Sequence, residues 1–319
     1  MKALLLLASL SLPLLVQAAE PESCATVHFS DVGWTDITVT TAIASEVLES
    51  LGYKTKTTLL SIPVTYRALS SGKDLDVFLG NWMPTTENDI KPYRDAGTVE
   101  TVRANLHGAK YTLAVPDYVY DAGLHDFADI AKFKDKLNGQ LYGIEPGNDG
   151  NRLIQGMIDK DAFGLKDFKV VESSEAAMLS QLKRATRKNE WMVFLGWEPH
   201  PMNTRNKLKY LSGGDDYFGP NFGQATVYTN VRKGYLKECS NVGKLLQNME
   251  FSLAMENQLM DAVLNQNQKP RAAAKAWLKA NPAVLEAWLV GVSSRDGKDG
   301  LTVASARLAS QQPSPNPVQ

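Results

Sequence analysis

Residues 76–84 read DVFLGNWMP, and residues 192–201 read MVFLGWEPHP. In both stretches an apolar Val-Phe-Leu run is followed by Gly, then by Trp, and shortly afterwards by Pro. A short apolar run bounded by Gly and Pro is typical of a buried strand that ends abruptly. The chain is therefore predicted to build two similar strands, each of which leaves an indole ring, Trp82 or Trp197, at its end.

Strand and helix patterns alternate in the segments that precede each of these stretches. Helical spacing over residues 35–53 places five apolar side chains on one face: Ile37, Ile43, Val47, Leu48 and Leu51. Strand patterns cover residues 25–30, 54–60, 110–116, 141–145, 167–173 and 224–230, and further helical patterns cover residues 126–139, 151–164 and 175–189. Alternation of this kind predicts an α/β fold with largely parallel strands.

The N-terminus has the pattern of a secretory signal peptide. Lys2 precedes an apolar run over residues 3–15, and small residues stand at the expected cleavage site after Ala18. The run is too short to span a bilayer. We therefore expect residues 1–18 to be removed and the mature chain to be exported to the periplasm.

Composition places the 319-residue chain among globular proteins of one large or two ordinary domains. Its net charge of −1 and 44% hydrophobic content give no basic excess that would indicate a nucleic-acid partner. We expect a monomer.

The mature chain has two cysteines, Cys24 and Cys239. In an oxidising compartment one disulfide is the first expectation, and two unpaired buried thiols are the alternative. A bond between them would attach the mature N-terminus to a segment far along the chain.

Two α/β series that each end in a Val-Phe-Leu-Gly strand predict two lobes of similar build. We expect the chain to cross between them near residues 106–110 and 219–224. Lobe one then comprises residues 19–108 and 222–300, and lobe two comprises residues 109–221. Residues 301–319 are polar and rich in Pro, and we expect them to be a disordered tail. Ligands commonly bind between domains and at the carboxyl ends of parallel strands, where Trp82 and Trp197 would lie.

Motifs of common enzymes are absent from the sequence. There is no GxSxG, Walker or GxGxxG motif, and the four histidines have no metal-ligand spacing, so we expect no metal and no cofactor. Glu198 and His200 could form an acid/base pair, or could simply orient their Pro-flanked turn. The stretch EPGNDGN at 145–151 precedes a helix and could either bind an anion or cap that helix.

Aromatic residues stand at the ends of several predicted elements. These are Trp34, Trp82, Tyr111 and Trp197. A trimethylammonium group carries a full charge but has no N–H donor, so it is bound mainly by aromatic faces. Four such residues in one cleft would favour a quaternary ammonium ligand, whereas any one of them alone could be a packing residue.

Five stretches together resemble the substrate-binding proteins of quaternary-amine ABC importers, and among these the choline-binding group. They are DVGWTDI (31–37), FLGNWMP (78–84), GAKYTLAVP (108–116), GIEPGNDGNR (143–152) and FLGWEPHPMN (194–203). The resemblance covers about residues 25–290 and implies a type II periplasmic-binding-protein fold. In that fold two lobes, each a mainly parallel sheet flanked by helices, close over a ligand in the cleft between them.

The resemblance also implies a binding site and partners. The aromatic box would consist of Trp34, Trp82, Tyr111 and Trp197, with Asp36 and Asn148 near the hydroxyl end of choline. Asp36 could equally be a first-turn carboxylate that complements the helix dipole. The implied partners are choline, a membrane permease and, through it, a cytoplasmic ATPase. Glycine betaine, carnitine and acetylcholine are alternative ligands, and an exported enzyme using Glu198 and His200 is an alternative of another class.

Overall fold

The computed structural model describes residues 20–310, so the predicted signal peptide lies outside the described residues. No helix in this range is long and apolar enough to cross a membrane. The strands are β1 (Thr26–Asp31), β2 (Lys54–Leu59), β3 (Val77–Met83), β4 (Val99–Pro116), β5 (Gln140–Tyr142), β6 (Lys169–Val171), β7 (Phe194–Glu198), β8 (Leu208–Tyr210) and β9 (Gln224–Arg232).

The helices surround these strands. They are α1 (Thr35–Ser50), α2 (Ile62–Ser71), α3 (Glu87–Asp95), α4 (Asp117–Asp121), α5 (Asp149–Asp159), α6 (Glu175–Lys188), α7 (Met202–Arg205), α8 (Asp215–Phe218), α9 (Pro220–Gly223), α10 (Tyr235–Glu238), α11 (Ser240–Asn248), α12 (Leu253–Leu264), α13 (Pro270–Ala280), α14 (Val284–Trp288) and α15 (Gly300–Ser310). Short 3₁₀ turns occupy Glu22–Cys24, Phe127–Phe133 and Ala162–Gly164.

All nine strands belong to one curled sheet in the order β2-β1-β3-β9-β4-β7-β5-β6, with β8 paired to β4. The outer groups are parallel as predicted: β1 runs parallel to β2 and β3, and β5 runs parallel to β6 and β7. The central strands differ from the prediction, because β9 is antiparallel to β3 and β4, and β4 is antiparallel to β7 and β8. The two parallel groups are therefore joined by an antiparallel ribbon.

The ribbon of β4 and β9 is where the chain passes between the two halves. We call the elements β1–β3, α1–α3 and α10–α15 the first lobe, and β5–β8 and α4–α9 the second lobe. The crossing predicted near residues 106–110 lies within the long strand β4, and the one predicted near 219–224 ends where β9 begins. The boundaries at 108/109 and 221/222 stay predictions, since the first lies within β4 and the second within α9, so neither falls between two elements.

Helix α1 occupies the centre of the first lobe. The five apolar side chains predicted to share a face are at most 2% exposed. Twelve of the sixteen residues of α1 are buried, because the helix packs on strands β1, β2 and β3 and on helices α12, α13 and α15. The C-terminal part of the chain thus covers the helix that carries Trp34 and Asp36 at its N-terminal end.

The two Val-Phe-Leu-Gly strands, β3 and β7, are buried along almost their whole length. Their glycines allow close packing: a Cβ on Gly80 would lie 2.7 Å from Ile37 Cγ1, and one on Gly196 would lie 2.8 Å from Ala114 Cβ. Each strand leads into a cis X-Pro bond, Met83–Pro84 or Glu198–Pro199. Close packing therefore explains the Gly of the repeated sequence without reference to function, and only the Trp still needs a functional explanation.

The predicted disordered tail is wrong for residues 301–310, which form most of α15. This helix packs against α1, α13 and α14, and it buries Ala304 and Leu308. The prediction failed because it read the Pro-rich end together with an Ala-rich segment that has good helix propensity. Residues 311–319 lie outside the described residues.

Cys24 and Cys239 are bonded, as the two-cysteine count predicted. Both are completely buried, and their Cα atoms lie 5.5 Å apart. The bond joins the residues just before β1 to the junction of α10 and α11, so both ends of the described chain belong to the first lobe.

Replacing both Cys24 and Cys239 by Ser should lower the free energy of unfolding by about 2–5 kcal/mol, because the reduced chain loses a link that closes a very long loop. Ligand affinity should stay the same, since the bond is confined to the first lobe. Denaturant unfolding and calorimetric titration of the double variant measure the two quantities. A variant with unchanged stability, or with normal stability but lost affinity, would contradict this expectation.

Candidate ligand-binding site

A small cavity lies between the two lobes. Five of the six predicted site residues line it together with one additional side chain: Trp34, Asp36, Trp82, Tyr111 and Trp197, with Ile144. The four aromatic residues are 3–6% exposed, so the cleft is closed. Trp82 and Trp197, from the two repeated strand ends, thus border one cavity from opposite lobes.

The aromatic rings are fixed by contacts with one another and with residues behind them. Trp82 and Tyr111 meet edge to face with centroids 6.1 Å apart. Tyr111 lies opposite Trp197 in the β4–β7 ladder and rests on the ring of Phe218, 5.8 Å away at 90°. Trp197 packs against His200 at 4.8 Å. Rings held in this way need little reordering to present their faces to a ligand.

Trp34 and Asp36 reach the cavity from the N-terminus of α1. Gly33, with φ of +86°, turns the chain from β1 into the helix, a conformation that favours glycine. Trp34 is the N-cap residue of α1 and Asp36 lies in its first turn. The turn, and not a long loop, therefore sets where both side chains point.

The carboxylate of Asp36 is the only charged group among the residues that line the cavity. Its Oδ2 accepts a hydrogen bond from Trp82 Nε1 at 3.1 Å, while Oδ1 is buried without a partner in residues 20–310. Burial raises the pKa of Asp36 to about 8, with a further contribution from the negative charge of Glu175. A cation in the cavity would offset both effects.

Two more carboxyl groups lie near the cavity. Burial raises the pKa of Glu145 to about 7, and it raises the pKa of Glu256 well above its usual value, with Asp36 adding to the latter shift. The basic residues of the motifs are engaged elsewhere: Lys110 Nζ lies 3.4 Å from Glu198 Oε2, and Arg152 pairs with Asp89. The charge around the cavity is thus acidic and suits a cationic ligand.

Asn148 is the predicted site residue that does not line the cavity. It caps α5, where its Oδ1 accepts from the Asn151 N–H at 3.1 Å and from the Tyr111 hydroxyl at 2.9 Å. Its Nδ2 donates to Glu145 Oε1 at 3.3 Å. Asn148 therefore positions Tyr111 from behind. The stretch EPGNDGN caps its helix through this residue, which is one of the two roles the sequence left open.

Glu198 and His200 do not form a pair. Glu198 faces Lys110, whereas the buried His200 contacts Glu175 through Nε2 at 3.2 Å and accepts from the Met202 N–H through Nδ1 at 2.9 Å. An acid/base pair would need the two side chains within hydrogen-bond distance of each other or of a shared reactant. The geometry instead assigns His200 a structural position behind Trp197.

Sequence reasoning missed three residues at this site. Ile144 supplies an apolar wall of the cavity, Glu145 accepts from Trp34 Nε1 at 2.7 Å, and Glu175 accepts from the Thr35 N–H at 2.8 Å. Ile144 and Glu145 stood inside a quoted motif, but Glu175 had only the signal of a helix start. Glu145 and Glu175 act across the cleft, and no local sequence pattern reports a contact of that kind.

Residues 25–280 match the protein family described as the substrate binding domain of ABC-type glycine betaine transport systems. The chain belongs to this family. Its members are substrate-binding receptors of ABC transporters and not enzymes, so the enzyme alternative is wrong.

Solved structures of this family are similar to the chain over most of its length. A choline-binding protein of an ABC transporter, in complex with choline, is 62% identical with a TM-score of 0.89, over 91% of this chain and 100% of that one. An unliganded semi-closed form of such a protein is 62% identical with a TM-score of 0.83, over 90% and 99%. Lactococcal OpuAC, closed on glycine betaine, is 26% identical with a TM-score of 0.73, over 82% and 98%.

Closure of the empty cleft should become less favourable as the pH rises from 5 to 8. In the closed form the pKa of Asp36 is about 8, against 3.8 for an exposed Asp, so closing takes up a proton in this range. That stabilisation of the closed form is lost as the pH rises through the pKa that Asp36 has in the closed form. Small-angle X-ray scattering of the ligand-free protein should give a larger radius of gyration at pH 8 than at pH 5.

Asp36→Asn is the control, because it removes the titrating group at nearly constant volume. The change in radius between pH 5 and pH 8 should be smaller in this variant, with the remainder due to the other buried carboxyl groups whose pKa is raised, Glu145 and Asp89 among them. An equal change in the variant and the unaltered protein would show that Asp36 is not the group responsible.

Proposed function

We propose that the protein is the periplasmic choline receptor of an ABC importer, and that it binds choline in the interlobe cavity and delivers it to the membrane permease. The observation that supports this most is the composition of the cavity: four aromatic side chains and one carboxylate, whose Oδ1 is buried without a partner in residues 20–310. Choline has one group for each of these two features: a trimethylammonium group for the aromatic rings and a hydroxyl for the carboxylate.

The trimethylammonium group of choline would lie among Trp34, Trp82, Tyr111 and Trp197. It has no N–H to donate, so the ring quadrupoles and van der Waals contact provide its attraction, at about 0.5–2 kcal/mol for each good cation–π pair. Closing the lobes removes the group from water, and the rings replace its weak hydration. This accounts for a site with several aromatic rings and a single carboxylate.

The hydroxyl of choline would donate to Asp36 Oδ1, which otherwise stays buried without a partner. A hydrogen bond to a charged acceptor typically stabilises by about 1.5–3 kcal/mol, and an unmet buried acceptor costs a similar amount. Glycine betaine and carnitine carry a carboxylate in this region, which Asp36 would repel. Lys110 and Arg152 are held in other ion pairs and could not offset that repulsion.

The 62% identity to a protein solved with choline supports this ligand over glycine betaine, which the 26% identical lactococcal protein binds. Asn148 would act on the ligand through the Tyr111 hydroxyl and not directly. We also propose, from the sequence, that residues 1–18 direct export, that the permease works with a cytoplasmic ATPase, that the receptor is a monomer, and that the lobes divide at 108/109 and 221/222.

Calorimetric titration with choline, acetylcholine, carnitine and glycine betaine tests the proposal. Choline should bind most tightly, with a negative heat-capacity change from apolar burial. Acetylcholine lacks the donor hydroxyl and should bind more weakly, and the two carboxylates should bind weakest. Binding of betaine without binding of choline would make the protein a betaine receptor, and no heat with any of the four would refute the proposal.

Asp36→Asn should weaken choline binding by at least about 2 kcal/mol, or about thirtyfold, because both the charge and the acceptor for the hydroxyl change. Glycine betaine binding should weaken less, or improve, because its carboxylate is no longer repelled. Titration of both ligands into both proteins gives the ratio of affinities. Equal losses for the two ligands would remove Asp36 as the discriminating residue.

A further inference from the structure

We propose that Glu145 and Glu175 of the second lobe are positioning residues that hold the segment Trp34–Asp36 of the first lobe against the ligand in the closed form, and so set how slowly the ligand leaves. We call Trp34, Thr35, Glu145 and Glu175 the interlobe clamp. The inference rests on the proposed function for its ligand, and the residues it adds, Thr35, Glu145 and Glu175, do not line the cavity.

Glu175 makes the larger part of the clamp. Its Oε2 accepts from the Thr35 N–H at 2.8 Å, and its Oε1 accepts from the Thr35 hydroxyl at 2.6 Å. The carboxylate is 4% exposed, so these hydrogen bonds are shielded from water. Thr35 is the first residue of α1 in the first lobe, whereas Glu175 is the first residue of α6 in the second.

The contact supplies α1 with the cap that its own sequence lacks. The N-cap residue is Trp34, whose side chain makes no capping hydrogen bond to the helix. The N–H groups of a first helical turn need acceptors, and a carboxylate there also complements the helix dipole. Helix α1 therefore receives this carboxylate only when the lobes are together, at the turn that carries Trp34 and Asp36.

His200 fixes the orientation of Glu175. Because His200 Nδ1 accepts from the Met202 N–H at 2.9 Å, the ring proton lies on Nε2, which can donate to Glu175 Oε1 at 3.2 Å. His200 is 1% exposed and packs on Trp197. The second-lobe ring of the cavity and the second-lobe carboxylate of the clamp are thus held by one histidine.

Glu145 makes the second contact. Its Oε1 accepts from Trp34 Nε1 at 2.7 Å and from Asn148 Nδ2 at 3.3 Å. A buried indole N–H needs an acceptor, and a carboxylate at this position orients the ring and adds negative charge at its edge. The face that Trp34 turns to the cavity is therefore set by a residue 111 positions along the chain, in the opposite lobe.

Both contacts join the two lobes, so opening the cleft would break them, and this gives them a kinetic signature. A contact formed after the ligand has entered slows dissociation and has little effect on association. We therefore expect loss of the clamp to raise the dissociation rate, to leave the association rate within about twofold, and to leave the stability of the ligand-free protein unchanged.

Thr35→Val tests this with the smallest change, because it removes the hydroxyl and keeps the shape and the backbone N–H. Stopped-flow tryptophan fluorescence with choline should show dissociation faster by about tenfold, which is 1.4 kcal/mol of affinity. Glu175→Gln should act similarly. In the double variant the dissociation rate should rise by less than the product of the two single increases, because both substitutions remove the same contact.

Thr38→Val is the matched control. It is the same substitution on the next turn of α1, but the Thr38 hydroxyl donates to Asp31 Oδ2 at 2.7 Å within the first lobe. This variant should lower the melting temperature of the ligand-free protein and leave the dissociation rate unchanged. Thr35→Val should instead raise the dissociation rate and leave the melting temperature of the ligand-free protein unchanged. For the second contact, Glu145→Gln keeps an acceptor for Trp34. Choline should therefore dissociate more slowly from this variant than from Glu145→Ala.

The inference is overturned if Thr35→Val releases choline at the rate of the unaltered protein, if the losses of Thr35→Val and Glu175→Gln multiply, or if Thr35→Val destabilises the ligand-free protein as Thr38→Val does. Failure of the proposed function looks different, since the unaltered protein would then not bind choline at all. In that case the same rates are measured with glycine betaine, and the clamp stands or falls on them independently.

Discussion

A buried carboxylate oxygen without a hydrogen-bond partner in residues 20–310 is the constraint on which the closed structure depends. Asp36 lies among aromatic rings, where an ionised group is stabilised only by a partner or a counter-charge. Trp82 satisfies one oxygen and leaves the other unmet. The closed form is therefore costly when empty, and this cost favours an open receptor until a cation with a donor group arrives.

The same reasoning explains why the aromatic rings and the carboxylates are distributed over both lobes. Trp34 and Trp82 come from the first lobe, and Tyr111 and Trp197 come from the two strands β4 and β7 that lead into the second. Neither lobe can surround a cation by itself. A receptor built in this way couples ligand contact to closure, since each lobe completes a site that the other leaves half solvated.

The fold and most of the site could be predicted because their signals are local. The Val-Phe-Leu-Gly runs specify buried strands, and the helical spacing from Ile37 to Leu51 specifies α1, so both followed from the order of residues. The antiparallel pairing of β4 and β9 could not be predicted, because a strand pattern does not carry its direction in the sheet. The helix at Gly300–Ser310 was missed because the Pro-rich segment that follows it was taken together with it as one tail.

The residues missed at the site share one physical reason. Glu145 and Glu175 contact residues 111 and 140 positions away, and they do so across a cleft. Their charge at helix starts and turns is ordinary in sequence, because acidic residues are favoured there in any case. Only the closed arrangement distinguishes a carboxylate that caps its own helix from one that caps a helix of the opposite lobe.

The placement of these two glutamates also resolves a conflict in how such a receptor must behave. A cleft with Asp36 on its wall and Glu145 behind it attracts a cation, yet burying these carboxylates in an empty closed cleft is costly. Burial is the main cause of the raised pKa of both groups, with the negative charge of Glu175 adding at Asp36 and that of Asp149 adding at Glu145. In the clamp, Glu145 and Glu175 each accept hydrogen bonds from the first lobe and are stabilised by these donors at closure, while Asp36 Oδ1 has no partner in residues 20–310. Among Asp36, Glu145 and Glu175, only Asp36 keeps a buried oxygen without a partner in residues 20–310, at the position that the ligand can satisfy, so closure without ligand stays unfavourable.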